Sequence, residues 1–537
     1  MPRFPVDNGT ITVVRTRKRY LSLAASLVLL SSVACSGSDG AEETKAPAGP
    51  VPEGFENFYA QQLDWGDCEP YADDAMARQV FSGDGLECAR LTVPLSYEAP
   101  QGKTINVGLL RKQASDPDQR IGSLVLNPGG PGGSGMMTAA QLAGTIANTE
   151  LGKRFDLVGF DPRGIGASEP VIECRTDAEM DADRADTSSM DGVDDVADAE
   201  QDAKEFARSC AERTEHGEEM LANLGTRDVV RDIDVMRSAL GDEKLTYLGY
   251  SYGTRIGYTY AETFPGNVRA LLLDGAIDPE QDMLDSLVGQ AEGFGNTFDR
   301  FVEWCVSRND CALGRDSGKA VEAYQGLVRP LLDEPVTLPD GRVLTYDDAT
   351  TGTVAALYSQ QLWPTLNQGL NGLKQDNGAM LMALADTYYE RGPDGKYSST
   401  QEGLVAIRCV DDPPVTDQAK IEEAQARYLE LAEFLDPGLP PSSARDACAF
   451  WPVEHTSEPH LPDVEGIPPA LVISSTDDPA TPYQAGVNLA EAIGGRLLTF
   501  EGAQHTAFLT AGNQCVDEAG TAYLVEGTLP PEGTRCG

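Results

Sequence analysis

One turn constrains this chain more than any other feature. Residues 244–264 (KLTYLGYSYGTRIGYTYAETF) run an apolar strand-like segment directly into a helical one, with Gly249-Tyr250-Ser251-Tyr252-Gly253 at the junction. A chain that turns from strand to helix in so few residues must strain its backbone at the centre. It needs small residues on both sides so that the two arms can pass. The pattern GxSxG is weak alone, and an incidental serine in a glycine-containing turn is the competing explanation. The strand before it and the helix after it supply the context in which the Ser251 hydroxyl projects above the end of a sheet.

The rest of the sequence repeats that strand–helix rhythm. Strand-like segments are RLTVPL at 90–95, TINVGLLRK at 104–112, GSLVLN at 122–127, DLVGF at 156–160, VRALLLDGA at 268–276, ALVISS at 470–475 and RLLTF at 496–500. Between them, TRDVVRDIDVMRSAL (226–240) places Val229, Ile233, Met236 and Leu240 at helical spacing, with Thr226 as its cap and Gly241 as its stop. PYQAGVNLAEAIGG (482–495) is a further helix. Strands alternating with helices predict an α/β fold with a mostly parallel sheet. The rhythm is lost between 277 and 450, where helical patterns rich in Trp, Tyr and Leu dominate; this stretch reads as an inserted helical cap. The domain boundaries that follow are 61–276 for the first part of the core, 277–450 for the cap and 451–537 for the rest of the core. An acidic run at 177–205, between Cys174 and Cys210, reads as a solvated helical excursion.

A serine needs a base, and the base needs a carboxylate to orient it. In folds with this turn the chain order is serine, acid, histidine. Of the four histidines, His216 precedes Ser251, and His455 and His460 precede the last strand–helix unit. His505 lies just after the last long strand, where the base belongs. Three acids compete: Asp478 first, then Asp477, both after ALVISS, and Asp274 third, after VRALLL. NPGGPGGSG at 127–135 follows another strand. Its glycines bring backbone N–H groups close to a substrate, so the donors for a developing oxyanion are expected from Tyr252 and from Gly129 or Gly130. The loop lacks the GK[ST] ending of a phosphate cradle. No CxxC is present, so neither a metal site nor a cofactor is expected.

At the N-terminus, Arg15, Arg17, Lys18 and Arg19 precede an uncharged run, YLSLAASLVLLSSVA (20–34), too short for a comfortable membrane span. Ser32-Val33-Ala34-Cys35 resembles a bacterial lipobox, with Ser32 where Leu is preferred. Residues 1–34 therefore read as a lipoprotein signal and Cys35 as the lipid attachment point; an ordinary signal peptide or a short anchor are the alternatives. Residues 35–60 read as a flexible tether. The ten cysteines left are even in number, which in an exported protein suggests five disulfides. Spacing does not dictate their connectivity. Neighbour pairing is the working assignment: Cys68–Cys88, Cys174–Cys210, Cys305–Cys311, Cys409–Cys448 and Cys515–Cys536. The formal charge of −44 becomes −48 once residues 1–34, with five basic and one acidic residue, are removed. That excess repels nucleic acid and anionic lipid and favours cationic substrates.

The motifs NPGGPGGSG, DLVGFDPRGIGAS, LGYSYGT, LLLDGAIDP and DDPATP, with the tail QCVDEAGTAYLVEGTLPPEGTRC, run in order from about residue 86 to 536. Together they resemble the secreted α/β-hydrolase peptidases of actinobacteria, the tripeptidyl-aminopeptidase-like proteins related to prolyl iminopeptidases. The resemblance implies an α/β-hydrolase fold with a helical cap and a C-terminal segment of that family's type from about residue 440. It implies Ser251 as nucleophile, Asp478 as acid and His505 as base, and short peptides with a free N-terminus as substrates. The family acid stands directly before the proline of DPxTP, which favours Asp478 over Asp477. Thr506 departs from the glycine that frequently follows the histidine. A cap carboxylate should bind the substrate ammonium, with Glu292 a candidate. A carboxylesterase or lipase with the same triad, or a binding protein on an inactive scaffold, are the rival functions.

The lipid anchor is testable. With Cys35→Ala, fractionation should find the protein released to the medium or still carrying its leader. A variant that stays on the membrane with the leader removed would disprove attachment at Cys35.

Overall fold

The computed structural model describes residues 47–186 and 196–537. The leader expected at 1–34, the Cys35 attachment and the first part of the tether lie outside the described residues.

Nine strands form one sheet in the order β1-β2-β4-β3-β5-β6-β9-β10-β11. They are β1 (Leu86–Pro94), β2 (Thr104–Lys112), β3 (Gly122–Asn127), β4 (Phe155–Asp161), β5 (Leu245–Tyr250), β6 (Val268–Asp274), β9 (Leu471–Ser475), β10 (Arg496–Phe500) and β11 (Arg535–Cys536). β1 and β2 pair antiparallel, as do β2 and β4; every other pairing in the sheet is parallel. Strands β3, β4 and β5 are buried along their whole length, as parallel strands covered on both faces must be. Side-chain alternation splits them between two apolar layers. Val125, Tyr247 and Leu271 pack under the helices Thr226–Leu240 and Tyr252–Thr263. Leu124, Leu248 and Leu272 pack under the helices Gly135–Ile146 and Gln514–Glu526.

Chain order reverses at β3, which has β4 on one side and β5 on the other. From there β3 leads to the helix Gly135–Ile146 on one face of the sheet and β5 to the helix Tyr252–Thr263 on the other, the kind of switch point at which such sheets place a site. The ends of β3, β5, β6, β9 and β10 are neighbours in register: Asn127 opposite Gly249, Tyr250 opposite Asp274, Asp274 opposite Ile473, and Ser475 opposite Phe500.

Six helices of the expected cap, Met283–Val306, Ala320–Val328, Tyr346–Leu357, Trp363–Leu373, Ala379–Tyr388 and Gln418–Leu431, are accompanied by a small ribbon of β7 (Val336–Thr337) and β8 (Val343–Leu344) that periodicity does not reveal. Their apolar cluster includes residues from Ala291 to Phe434 together with Ala480 and Ala503 of the sheet domain, with the Phe298 and Phe434 rings stacked at 4.3 Å. The helix Thr400–Asp411 departs from the expected 277–450 partition. Its residues Ala406, Ile407, Cys409 and Val410 belong to the core of the sheet domain.

Two other expectations need correction. Residues 48–60 are not tether: Ala48 exchanges hydrogen bonds with Ser238 and Arg237, and Tyr59 is buried with its hydroxyl donating to Asp234 at 2.8 Å. The described parts of the acidic run are helical and largely exposed, as expected, and ion pairs fasten them as well. Arg184 pairs with Asp348 and Asp386 of the cap, Asp181 receives both arms of Arg391, and Glu200 pairs with Arg445. Thr226 is the first residue of its helix instead of its cap, with its hydroxyl turned to Asp411; Gly241 does end that helix in the left-handed conformation at φ +90°.

The five disulfides are Cys68–Cys88, Cys174–Cys210, Cys305–Cys311, Cys409–Cys448 and Cys515–Cys536. A buried ion pair also fixes the loop after β4. Arg163 is fully buried and donates twice to Asp232, at 2.7 and 2.6 Å, and to the carbonyls of Leu95 and Asn223. Removing one partner of such a pair leaves an uncompensated buried charge. Arg163→Ala should therefore lower unfolding free energy by roughly 3–5 kcal/mol in urea titration. A loss below about 1 kcal/mol, the worth of a surface pair, would show that the pair is not needed.

Candidate active site

Ser251 sits at the junction of β5 and the following helix with φ +53°, a left-handed conformation that costs a non-glycine residue roughly 1–3 kcal/mol. The surroundings hold it there. Its N–H donates to the Asp274 carbonyl at 2.9 Å. A Cβ on Gly249 would lie 2.4 Å from the Gly253 carbonyl oxygen, and one on Gly253 would lie 2.7 Å from that of Asn127. Both contacts are with backbone that cannot move aside, which is why small residues flank the serine.

The glycine loop after β3 lies against this turn. Gly129 has φ +93°, and a Cβ there would be 2.6 Å from the Tyr250 carbonyl and 2.9 Å from the Tyr252 nitrogen. Of the two glycines expected as donors, Gly129 is already committed: its N–H donates to Asn127 Oδ1 at 2.9 Å. Gly130 remains the candidate loop donor; the neighbours a Cβ there would meet are Gly132 and Gly133 of the same loop. Past the loop, a cavity of about 630 Å³ opens between Pro128, Gly133 and Met137 of the sheet domain and Ala383, Thr387 and Glu390 of the cap; neither Ser251 nor His505 lines it.

The three candidate acids go to three different places. Asp477 is partly exposed and pairs with Arg300 at 3.4 Å. Asp478 is buried, accepts the N–H groups of Ala480 and Thr481 at 2.9 Å each, and faces His505 Nδ1 at 2.9 and 3.1 Å. Asp274 is fully buried and accepts the N–H groups of Ala507 and Phe508 at 2.8 and 2.7 Å, the two residues beyond Thr506. The structure thus brings Asp478 to the imidazole and Asp274 to the turn that carries it. That turn is itself strained, with Thr506 at φ +60°. Asp274 was visible in the sequence as a candidate acid; its role as the acceptor for this turn was not, because the pairing spans 233 residues.

His505 is held by the cap as well. Its N–H donates to the Tyr358 carbonyl at 3.0 Å, the Tyr358 ring meets the imidazole edge-on at 5.4 Å, and Ser359 donates to Gln504 at 2.9 Å. With Asp478 accepting at Nδ1, that nitrogen carries the hydrogen and Nε2 is left with a free lone pair. Burial alone would lower the imidazole pKa; the charge and hydrogen bond of Asp478, helped by Asp274, outweigh it and raise the pKa above 6.5. Burial pushes the Asp274 carboxyl up to about 7, against the lowering effect of its two N–H donors. Glu292, the candidate for a substrate ammonium, is exposed on the helix Met283–Val306.

These shifts give a signed pH prediction. With neutral His505 as the expected base, activity should fall as pH drops through an imidazole pKa raised above 6.5. Asp274→Asn keeps an acceptor for Ala507 and Phe508 but removes a charge that favours imidazolium. The acid limb of the kcat/KM profile should move to lower pH; a limb that stays or moves upward would contradict the coupling.

The sequence matches the family model described as alpha/beta hydrolase fold over residues 122–512, most of the chain. Serine protease Hip1 of Mycobacterium tuberculosis is 44% identical over 484 residues, covering 89% of this chain and 91% of its own. Carboxylesterase B of the same organism is 43% identical over 479 residues, covering 89% and 90%. Tripeptidyl aminopeptidase of Streptomyces lividans is 29% identical over 489 residues, covering 88% and 86%. A strained serine turn at the switch point of a mostly parallel sheet, a histidine–carboxylate pair on neighbouring strand ends and a family match of this extent place the chain in the α/β-hydrolase family.

Proposed function

We propose that the protein is an exported serine exopeptidase that removes tripeptides from free peptide N-termini, with Ser251, Asp478 and His505 as its triad. The observation that carries the reading is the pairing of His505 with buried Asp478 on loops beside the strained Ser251 turn. In the mechanism, His505 Nε2 takes the Ser251 proton and Ser251 Oγ attacks the scissile carbonyl. The N–H groups of Tyr252 and Gly130 hold the oxyanion of the tetrahedral intermediate. His505 then protonates the leaving amine, and water, activated by the same imidazole, hydrolyses the acyl-enzyme. Asp478 keeps the imidazole in the productive tautomer and stabilises its cation.

The likeness to a serine protease and to a tripeptidyl aminopeptidase supports peptides as substrates. A peptide N-terminus is a cation, and a cap carboxylate such as Glu292 would receive it. Five disulfides support export to an oxidising compartment. Among the described residues no helix is long and apolar enough to cross a membrane, and the lipid at Cys35 would hold the enzyme on the outer face of the cytoplasmic membrane. A specific observation favours a second reading: Carboxylesterase B is almost as similar as the protease. The same triad and oxyanion donors would serve an ester.

The two readings separate on a matched panel offered to purified residues 36–537: one-, two- and three-residue aminoacyl anilides, free and N-blocked, beside a short-chain ester. The expected outcome is turnover of the free tripeptide anilide, abolished by Ser251→Ala and by N-terminal blocking. Ester turnover with no amidase activity would move the assignment to a carboxylesterase.

A further inference from the structure

The helix Thr400–Asp411 lies within the cap range of the sequence but packs in the core of the sheet domain, and its two ends meet the two sides of the oxyanion site. At its start, Thr400 donates to the carbonyl of Gly132 at 3.1 Å. Gly132 has φ +92°, and a Cβ there would lie 2.8 Å from the Thr400 carbonyl oxygen and 3.2 Å from the Leu404 nitrogen. The glycine loop therefore rests on the first turn of this helix with no room for a side chain between them.

At the other end, Asp411 is 1% exposed and gathers the elbow helix. Its Oδ2 accepts from the Tyr252 hydroxyl at 2.8 Å and from the Thr226 hydroxyl at 2.6 Å, and its Oδ1 accepts the Thr226 N–H at 2.7 Å. The next residue, Asp412, receives both arms of Arg255 at 2.8 Å each. Tyr252 is the residue whose backbone N–H follows the serine. Its side chain runs away from the site and is anchored on Asp411. Beyond the helix end, Thr456 N–H donates to the Val410 carbonyl at 2.7 Å, and the Cys409–Cys448 disulfide ties the same turn to the sheet domain.

We propose that Asp411 is a positioning residue for the oxyanion site. Through the Tyr252 hydroxyl at one end and the Thr400–Gly132 contact at the other, its helix sets the spacing between the Tyr252 N–H and the glycine loop. This rests on the reading that Tyr252 and Gly130 supply the oxyanion donors. Asp411 touches no reacting atom; its effect reaches the chemistry through the tyrosine.

The test compares Asp411→Asn, Asp411→Ala and Tyr252→Phe in purified residues 36–537, with Ser251→Ala as the control. Tyr252→Phe removes only the hydroxyl and serves if the Asp411 variants do not fold. Each variant is assayed for kcat and KM on whichever anilide or ester the wild type turns over, and for inhibition by the matching trifluoromethyl ketone. That inhibitor adds to the serine and places its oxyanion on the same donors. A misplacement of about 1 Å at a catalytic group costs on the order of 100-fold in rate. Tyr252→Phe and Asp411→Ala should lower kcat roughly 10- to 100-fold with KM within about twofold, and weaken the ketone by a similar factor. Asp411→Asn, which keeps an acceptor, should recover most of the loss. Adding Tyr252→Phe to Asp411→Ala should cost little more, because both cut one linkage. A fall in melting temperature with kcat and ketone affinity unchanged would overturn the proposal and leave Asp411 structural. A rise in KM alone would overturn it in favour of substrate binding. Activity surviving in Ser251→Ala would take down the underlying triad reading, and this proposal with it.

Discussion

The structure is organised around one unfavourable backbone conformation. Ser251 at φ +53° exposes its hydroxyl only because the chain is forced from β5 into a helix within a few residues. Nothing local favours that state for an L-residue. It is maintained by bonds to neighbouring strands: the Ser251 N–H on the Asp274 carbonyl, and the Gly249, Gly253 and Gly129 backbones in mutual contact closer than any Cβ would allow. Mutating those glycines would relieve the crowding only by moving the serine.

The imidazole is held in the same way, from several elements at once. Asp478 from the end of β9 faces its Nδ1, Asp274 from the end of β6 holds the turn behind it, and Tyr358 of the cap binds its backbone and covers its edge. The Thr506 turn spends conformational energy that the two short bonds to Asp274 return. The cap is therefore more than a cover over the sheet. One of its residues grips the histidine, and the Thr400–Asp411 helix leaves the cap cluster to brace the serine turn and the glycine loop. Chain order and packing disagree here because a helix joins whichever core its apolar face meets.

Much of this was legible in the residues. Each strand expected from an apolar run, from TINVGLLRK to RLLTF, is a strand, since strands with a buried face are rich in β-branched and aliphatic residues. The order of Ser251, Asp478 and His505 along the chain was readable because each follows a strand whose end is recognisable. Less legible were features made by pairs distant in sequence. The docking of residues 48–60, the ion pairs that fasten the acidic run and the pairing of Asp274 with the His505 turn all depend on atoms that local pattern does not connect. Thr226 shows the same limit in one residue: a good cap by type, it turned to Asp411, 185 residues away.

Sequence by itself determined the alternation of elements, the glycines that permit the turn, the residue types available for acyl chemistry and the even number of cysteines, because these follow from local backbone preference and side-chain chemistry. Tertiary structure alone decided which carboxylate meets the imidazole and which core each helix joins. Those outcomes depend on strand order, and strand order is set by the burial of whole faces across hundreds of residues.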